Sequence, residues 1–180
     1  MKLCNYPFLF SRLGLFLLRT ELTLGQDQVV ISKATFAQNL LKYLKDPLPE
    51  SEMGIMSYSF PKREWDSKFV DYIKKIHKNG VKIKIVGGPK IKAKEALEKL
   101  LEEGIEIRIL KKPISFHVVY TTNPRQLWVE EYHKNGYARN VHFTPLPYED
   151  AWTDMKYLFG KVWEKGKPLK EVKFKRCPEE

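Results

Sequence analysis

Several patterns that identify common enzyme classes are missing from this chain of 180 residues. It has only two cysteines, Cys4 and Cys177, near opposite ends, and no Cys/His spacing of a zinc site. A disulfide framework is therefore excluded, no structural metal is expected, and a reducing cytoplasm is the default location. The turn Gly87-Gly88-Pro89 lacks the spacing of a P-loop or a dinucleotide-binding fingerprint, and we expect no cofactor.

Long hydrophobic runs are also missing. The longest uncharged run near the amino terminus, Leu3 to Ser11, is far shorter than the roughly 20 apolar residues that cross a bilayer. Arg12 interrupts the apolar stretch, and no small-residue cleavage site follows it. We expect residues 1–20 to form an apolar segment that packs on the domain or faces a partner. A membrane-surface or targeting segment is the alternative.

The remaining composition is that of a folded domain with a basic surface. Hydrophobic residues make up 43% and aromatic residues 13%, which suits one domain with a full core. Charged residues are mostly lysine and glutamate, a bias also seen in thermophile proteins. The net charge is +10, and residues 61–115 hold 15 Lys and Arg against 8 Asp and Glu. Such a segment attracts polyanions and predicts a nucleic-acid partner, although a solvated lysine and glutamate surface explains the same composition.

Alternating strand and helix patterns fill the first two thirds of the chain. Residues 28–32 predict a short strand, and a helix follows over 35–44, where Thr35 and Gln38 have capping-box spacing. Strand–helix–glycine–strand units then repeat, which predicts a parallel sheet with right-handed crossovers. The further predicted elements are strands at 54–60, 81–88 and 105–110, and helices at 66–77 and 91–103.

The last third of the chain changes character. The segment ISFHVVYTT, residues 114–122, predicts a strand that contains His117. Asn135-Gly136 separates two more strand patterns and predicts a hairpin with a two-residue loop. That loop would place Tyr132 opposite Arg139. A final amphipathic helix is predicted over about 148–164, with Trp152, Phe159 and Trp163 on its apolar face.

The order of these elements resembles the phospholipase D-like superfamily over about residues 26–165. The similar parts are the first strand and helix, a helix that ends in NGVKIKIVGG, the strand with His117, and the aromatic last helix. The resemblance implies an α/β phospholipase D-like domain over 21–165. Its mixed or parallel sheet would be flanked by helices and followed by a C-terminal β-hairpin and amphipathic helix. Residues 166–180 would form a basic polar tail.

Enzymes of this superfamily carry the motif His-x-Lys-x4-Asp, followed later by Gly-Ser-x-Asn. One histidine attacks phosphorus, a second protonates the leaving group, lysines hold the phosphate oxygens, and aspartate orients the imidazole. In this chain His117 occupies the first position, but Val119 replaces the lysine and Pro124 replaces the aspartate. The segment Ala138-Arg139-Asn140 keeps only the asparagine of the second motif. The resemblance therefore implies a degenerate site with His117 as its candidate catalytic residue.

Other polar residues are candidates for holding a phosphate group. Arginine binds phosphate through two parallel hydrogen bonds, and lysine adds positive charge. The candidates are Arg139, Asn140, Arg125, Lys111, Lys112 and His142. In the alternative interpretation, His117 is a packed or hydrogen-bonded strand histidine without a catalytic function.

Three functions follow from these features. The first is a phospholipase D-like domain with an eroded motif that binds nucleic acid or another phosphate-bearing partner. A homodimer is a further expectation, because the two motif copies of the superfamily meet within one chain or across a homodimer. The second function is a divergent, metal-independent phosphodiesterase or nuclease that uses His117. The third is an effector or interaction domain of a regulatory system.

Overall fold

The computed structural model describes residues 28–32, 35–114, 116–132, 138–143 and 145–172, with side chains over 35–114, 116–130 and 150–172. The helices are α1 (Phe36–Tyr43), α2 (Ser67–Lys78), α3 (Lys94–Glu102) and α4 (Pro145–Lys165), and a 3₁₀ turn covers Leu169–Glu171. The strands are β1 (Gln28–Ser32), β2 (Glu52–Ser57), β3 (Lys82–Gly87), β4 (Glu106–Ile109), β5 (His117–Thr122), β6 (Arg125–Tyr132), β7 (Ala138–Phe143) and β8 (Lys167–Pro168).

The strands form one mixed sheet in the order β1-β7-β6-β5-β2-β3-β4-β8. The predicted parallel part is confirmed, since β2, β3 and β4 are parallel and joined through α2 and α3. β5, β6 and β7 form an antiparallel meander, and β5 pairs antiparallel with β2. The start of β5 therefore lies at the same edge as the ends of β2, β3 and β4. We call this the carboxyl edge, and the opposite one the amino edge.

Local sequence signals explain where the first two helices begin. The Gln38 backbone N–H donates to the Thr35 hydroxyl over 3.2 Å, and the Thr35 N–H donates to the Gln38 side chain over 3.0 Å. This is the predicted capping box, and it satisfies two backbone donors that the helix leaves without partners. Asp66 caps α2 in a similar way by accepting from the Phe69 N–H over 2.9 Å.

Two apolar layers enclose the sheet. α1, α2 and α3 cover one face, and α4 covers the other. Full burial of a large apolar side chain stabilises the fold by roughly 1.5–3 kcal/mol, so both layers contribute substantially. The first layer includes Leu40, Ile73, Leu97 and Val119, and the second includes Val118, Tyr120, Trp152, Met155 and Phe159.

The predicted register of the β6–β7 hairpin is wrong by one residue. The structure pairs Tyr132 with Ala138 rather than with Arg139. Five residues, 133–137, separate this pair, whereas a two-residue turn requires an even number between partners. The observed register matches apolar with apolar residues, pairing Val129 with Val141. Since a slip of one residue moves every side chain to the other face, this matching outweighs the Asn-Gly turn signal.

Beyond Lys165, where the polar tail was expected to begin, the chain continues within the fold. β8 pairs antiparallel with β4, and Leu169 is buried in the layer that contains α1, α2 and α3. Cys4, Cys177 and residues 1–20 lie outside the described residues. Within the described part of the chain, none of the helices has the length and apolar character needed to cross a membrane.

Candidate functional site

His117, the first residue of β5, is a buried side chain at the carboxyl edge. Only 1% of its surface is exposed. Its Nδ1 atom lies 3.2 Å from the hydroxyl oxygen of Ser57 at the end of β2. Its Nε2 atom lies 3.9 Å from Oε2 of Glu64, in the loop between β2 and α2. The ring packs on Phe36 of α1 with 4.9 Å between centroids, so three other elements fix the imidazole.

Burial keeps this imidazole neutral. Loss of solvation lowers the pKa of His117 from 6.5 to about 3. The Ser57 hydroxyl donates to the Ser59 carbonyl, so its oxygen accepts a hydrogen bond from Nδ1–H of His117. The neutral ring then has its acceptor atom, Nε2, on the side of Glu64. At 3.9 Å this nitrogen is beyond hydrogen-bond distance from Oε2 of Glu64.

The strand register places two further polar residues beside His117, one on each of the next two strands. His117 pairs with Glu130 of β6, and Glu130 pairs with Asn140 of β7. Glu130 is 1% exposed. Partners on neighbouring strands share a face of the sheet, so these three positions form one polar row at the carboxyl edge. Arg139 pairs with Glu131 and belongs to the adjacent row.

The positions of the missing lysine and aspartate supply no charge near His117. Val119 is completely buried in the layer of α1, α2 and α3. Pro124 lies in the turn between β5 and β6, at the amino edge. Among the described residues, no group of three or more His, Cys, Asp and Glu side chains is arranged to hold a metal ion.

Arg125 and His142 lie farther from this edge. Arg125 begins β6 at the amino edge, about 17 Å from Glu130 for five residues at ~3.4 Å each. Its guanidinium lies 5.0 Å from the centre of the Trp152 ring on α4. His142 pairs with Trp128, two positions from Asn140 along β7. The structure therefore brings Asn140 into the row of His117 but separates Arg125 from it.

Three loops meet around the carboxyl edge. They follow β2, β3 and β4 and cover residues 58–66, 88–93 and 110–114, respectively. The Phe60 N–H donates to the Lys90 carbonyl over 2.9 Å, and the Lys92 N–H donates to the Phe60 carbonyl over 3.0 Å. These bonds join the first two loops. They also hold residues 90–92 in a bridge with Phe60, so α3 begins at Lys94 and not at residue 91 as predicted.

Gly88 brings the second loop against the other two. A Cβ atom at Gly88 would overlap the Tyr58 carbonyl oxygen and would lie 3.1 Å from Cα of Pro113. Only glycine permits this approach, because it has no side chain. The Gly-Gly-Pro sequence therefore has a packing function at the point where the three loops converge.

Six exposed cations lie on these three loops, and we call them the basic rim. None of the six forms an ion pair within the described part of the chain. The acidic residues of the same loops offer little compensation at the surface, because Glu64 is 3% exposed and Asp66 caps α2. The rim therefore presents positive charge to solvent and attracts anions. It consists of Lys62, Arg63, Lys90, Lys92, Lys111 and Lys112.

Of the residues at this edge, His117, Asn140, Lys111 and Lys112 were candidates from the sequence, whereas Ser57, Glu64 and Glu130 were not. Glu64 belongs to the charged run Lys62-Arg63-Glu64, and such a run is typical of a solvent-exposed segment, so the run itself does not indicate the burial of Glu64. Glu130 did carry a usable signal. Glu130 lies two positions after Trp128 in the same strand, and residues two apart in a strand share a face. Because Trp128 is completely buried, burial of Glu130 could have been expected.

No family model and no curated protein matches the sequence. Among solved structures, Nuc of Salmonella typhimurium, a phospholipase D family member, has 16% identity and a TM-score of 0.62. The match covers 80% of this chain and 97% of Nuc. Polyphosphate kinase of Porphyromonas gingivalis has 10% identity and a TM-score of 0.57 over 84% of this chain, which spans only 29% of that kinase.

These similarities agree with the architecture on which the sequence resemblance rests. A mixed sheet flanked by helices is common to the predicted and the observed domain, and in the structure α1, α2 and α3 lie on one face and α4 on the other. Identities of 16% and 10% bear on the fold and not on activity. The chain has the phospholipase D-like fold.

Proposed function

We propose that this protein is a non-catalytic phospholipase D-like domain that binds the phosphate backbone of nucleic acid through the basic rim. The observation that carries the proposal is the set of six exposed cations on three contiguous loops, without ion-pair partners in the described chain. A nucleic acid that contacts such a surface releases bound counterions, which favours association. Phosphate contacts of this kind hold the backbone and do not read the base sequence.

The environment of His117 favours binding over catalysis. A nucleophilic histidine has to reach a phosphorus atom, but His117 is 1% exposed and is covered by Phe36 and Glu64. The motif lysine, which would hold the phosphate oxygens, and the motif aspartate, which would orient the imidazole, are replaced by Val119 and Pro124. Loss of one such stabilising group costs ~10²–10³ in rate by analogy with oxyanion-hole deletions, so two losses leave little activity.

The aromatic residues of the loops favour backbone contacts over base stacking. Single-strand binding proteins stack bases on exposed aromatic rings. In the loop that carries Lys62 and Arg63, Phe60 and Trp65 are 0% and 5% exposed. Trp65 instead packs against Phe60 and Phe69 in the core. We therefore propose sequence-independent binding in which a duplex, with its higher charge density, binds at least as tightly as a single strand.

Salt-dependent binding tests this proposal. The affinity for a labelled duplex of arbitrary sequence is measured by fluorescence anisotropy from about 50 to 200 mM salt. We expect log K to fall linearly with log salt concentration, with a slope of about −0.9 per phosphate contacted. Absence of binding at about 50 mM salt, or an affinity that does not respond to salt, contradicts the proposal.

A second probe separates nucleic acid from other phosphate polymers. One of the structurally similar proteins is a polyphosphate kinase, so inorganic polyphosphate is a suitable competitor. The proposal predicts that the duplex binds more tightly than polyphosphate at equal phosphate concentration. Tighter binding of polyphosphate would assign the rim to that polymer instead of nucleic acid.

A further inference from the structure

The outer face of α4, on the opposite side of the sheet from His117, carries a groove of about 400 Å³. Tyr157, Gly160 and Glu164 follow one another at helical spacing along it. The Tyr157 side chain is 68% exposed. An aromatic ring beside a concave surface is typical of the anchor points of protein interfaces.

Gly160 keeps the middle of the groove open. Nothing lies within 4 Å of the position that its Cβ would occupy, in contrast to Gly88. Glycine in the interior of a helix is less stable than alanine, and α4 is 21 residues long with Gly160 well inside it. The bare backbone at this position leaves room for a side chain of another molecule next to the Tyr157 ring.

Lysine and arginine side chains lie over the aromatic rings of this face. Lys161 is 5.4 Å from the centre of the Tyr157 ring. Trp152, at one end of the groove, has Lys156 at 5.4 Å and Arg125 at 5.0 Å from its ring centre. A cation over the face of an aromatic ring is attracted to the ring. The protein itself therefore positions positive charge at this end of the groove.

The other end of the groove is also basic. Trp163 precedes Glu164 in α4, and its ring centre lies 4.6 Å from the Arg108 guanidinium and 5.7 Å from the Lys84 ammonium group. Within the described part of the chain, the five cations of this face outnumber the three neighbouring carboxylates, so the face has a net positive charge. These carboxylates are Glu52, Glu106 and Glu164.

We propose that this face binds an acidic segment of a partner protein, with a bulky apolar side chain of that segment in the groove beside Tyr157. Acidic side chains before and after this anchor would pair with Lys161 and with the cations at the two tryptophans. The stretch from Thr153 to Glu164 covers about 17 Å of helix at ~1.5 Å per residue. Roughly five residues of extended chain span this length at ~3.4 Å each, so a short linear segment suits the face.

The distribution of charge favours a protein segment over nucleic acid. Glu52 lies 4.0 Å from Lys84 and 3.5 Å from Lys156, so a carboxylate separates two of the cations. A nucleic-acid backbone carries regularly spaced negative charge and would place phosphate against this carboxylate. A protein segment can place a neutral side chain there. The face thus differs from the basic rim, whose cations form no ion pairs within the described part of the chain.

A synthetic peptide tests the proposed chemistry of the partner. The probe is the fluorescein-labelled peptide EDEFEDE, and its controls are EDESEDE, which lacks the apolar anchor, and KRKFKRK, which has the opposite charge. Binding to the full chain is measured by fluorescence anisotropy at low salt. We expect a dissociation constant of about 10–100 μM for EDEFEDE and at least about tenfold weaker binding of each control. Equal binding of EDEFEDE and EDESEDE, or no binding up to about 1 mM, would overturn the proposal.

Two matched pairs of variants test the location. Tyr157→Ala should weaken EDEFEDE binding by about tenfold or more, whereas Leu48→Ala, at another exposed large hydrophobic residue, should not. Lys161→Glu should weaken it similarly, whereas Lys99→Glu, on an exposed position of α3, makes the same charge change and should have little effect. All four positions are exposed, so the thermal midpoints should stay near wild type. Equal losses within either pair contradict this location.

A competition experiment separates this face from the nucleic-acid surface. Arg63→Gln/Lys90→Gln/Lys111→Gln, which removes cations from the basic rim, should still bind EDEFEDE, and Tyr157→Ala should keep the wild-type affinity for a duplex. The proposal therefore stands or fails independently of the proposed function. Loss of EDEFEDE binding in the rim variant, or displacement of EDEFEDE from that variant by a single-stranded oligonucleotide, would overturn the assignment of the α4 face to an acidic protein segment.

Discussion

The Nε2 atom of His117 lies 3.9 Å from Oε2 of Glu64, and both side chains are almost completely buried. The carboxylate beside this histidine therefore comes from the loop after β2 and not from position 124, where the superfamily motif has aspartate. Glu64 belongs to the loop that carries Lys62 and Arg63 of the basic rim. The buried pair of Glu64 and His117 therefore lies directly beside the proposed binding surface.

Replacement of His117 should affect stability more than function. His117→Ala removes the contact with Phe36 and leaves the Ser57 hydroxyl without its ring partner. We expect a loss of about 1–3 kcal/mol in the free energy of unfolding, measured by urea denaturation. Duplex affinity should change by less than about threefold, because the Phe60–Lys90 bonds still hold the rim loops. Such a change corresponds to under ~1 kcal/mol.

The same variant separates binding from catalysis. The proposed function predicts no hydrolysis of nucleic acid or of a bis-aryl phosphate in EDTA by the wild type, and hence no difference in His117→Ala. EDTA-resistant hydrolysis by the wild type that disappears in the variant would instead establish the phosphodiesterase alternative.

Acidification should destabilise the protein through His117. Burial lowers the pKa of this imidazole to about 3, whereas the unfolded chain has a value of ~6.5. Between these values the unfolded state binds a proton that the folded state excludes. The stabilisation is therefore complete above about pH 6.5 and is lost progressively as the pH falls toward 3. At pH 5.0 the loss amounts to about 2 kcal/mol, from ~1.4 kcal/mol per pH unit.

Urea denaturation at pH 7.5 and 5.0 measures this loss. In His117→Gln, which does not titrate, the difference between the two pH values should be smaller than in the wild type by about 2 kcal/mol. Ser57→Ala is the control, because it removes the hydrogen-bond partner but keeps the buried imidazole. Equal pH dependence in wild type and His117→Gln would refute the assignment.

Gly88→Ala should disturb the convergence of the three rim loops. The added methyl group overlaps the Tyr58 carbonyl and presses on Pro113, so backbone has to move. We expect a loss of about 1–3 kcal/mol in stability, the range for an overpacked site, together with weaker duplex binding. Pro89→Ala, at an exposed neighbouring position, should leave both properties near wild type. Normal stability and binding in Gly88→Ala would show that the loops do not depend on this packing.

The fold was largely predictable because its signals are local and periodic. Residues 28–32 form β1 as predicted, and Thr35 and Gln38 form the capping box that their spacing indicates. The end of β2 at Ser57 was not predictable from the apolar run 54–60, because Phe60 leaves the sheet to bridge with Ile91. A strand pattern in the sequence shows which residues are apolar, but it does not show with which strand or loop each residue pairs.

The site was less predictable because its residues come together only through tertiary contacts. His117 stood out in an apolar strand, but its neighbours Ser57 and Glu64 are 60 and 53 positions away in sequence. The excess of Lys and Arg in residues 61–115 was apparent from the composition of the sequence. Its division into surface cations on the rim and cations elsewhere, such as Lys82 and Lys99, depends on the topology of the parallel strands.

The most direct test of the account compares two variants with the same net charge. Arg63→Gln/Lys90→Gln/Lys111→Gln removes one cation from each rim loop, and Lys45→Gln/Lys82→Gln/Lys99→Gln removes three exposed lysines at or near the amino edge. For the rim variant we predict weaker duplex binding and a log K against log salt slope smaller in magnitude by about three. The amino-edge variant should keep the wild-type slope. Equal losses in both variants would show that binding follows total charge and would contradict a binding surface at the carboxyl edge.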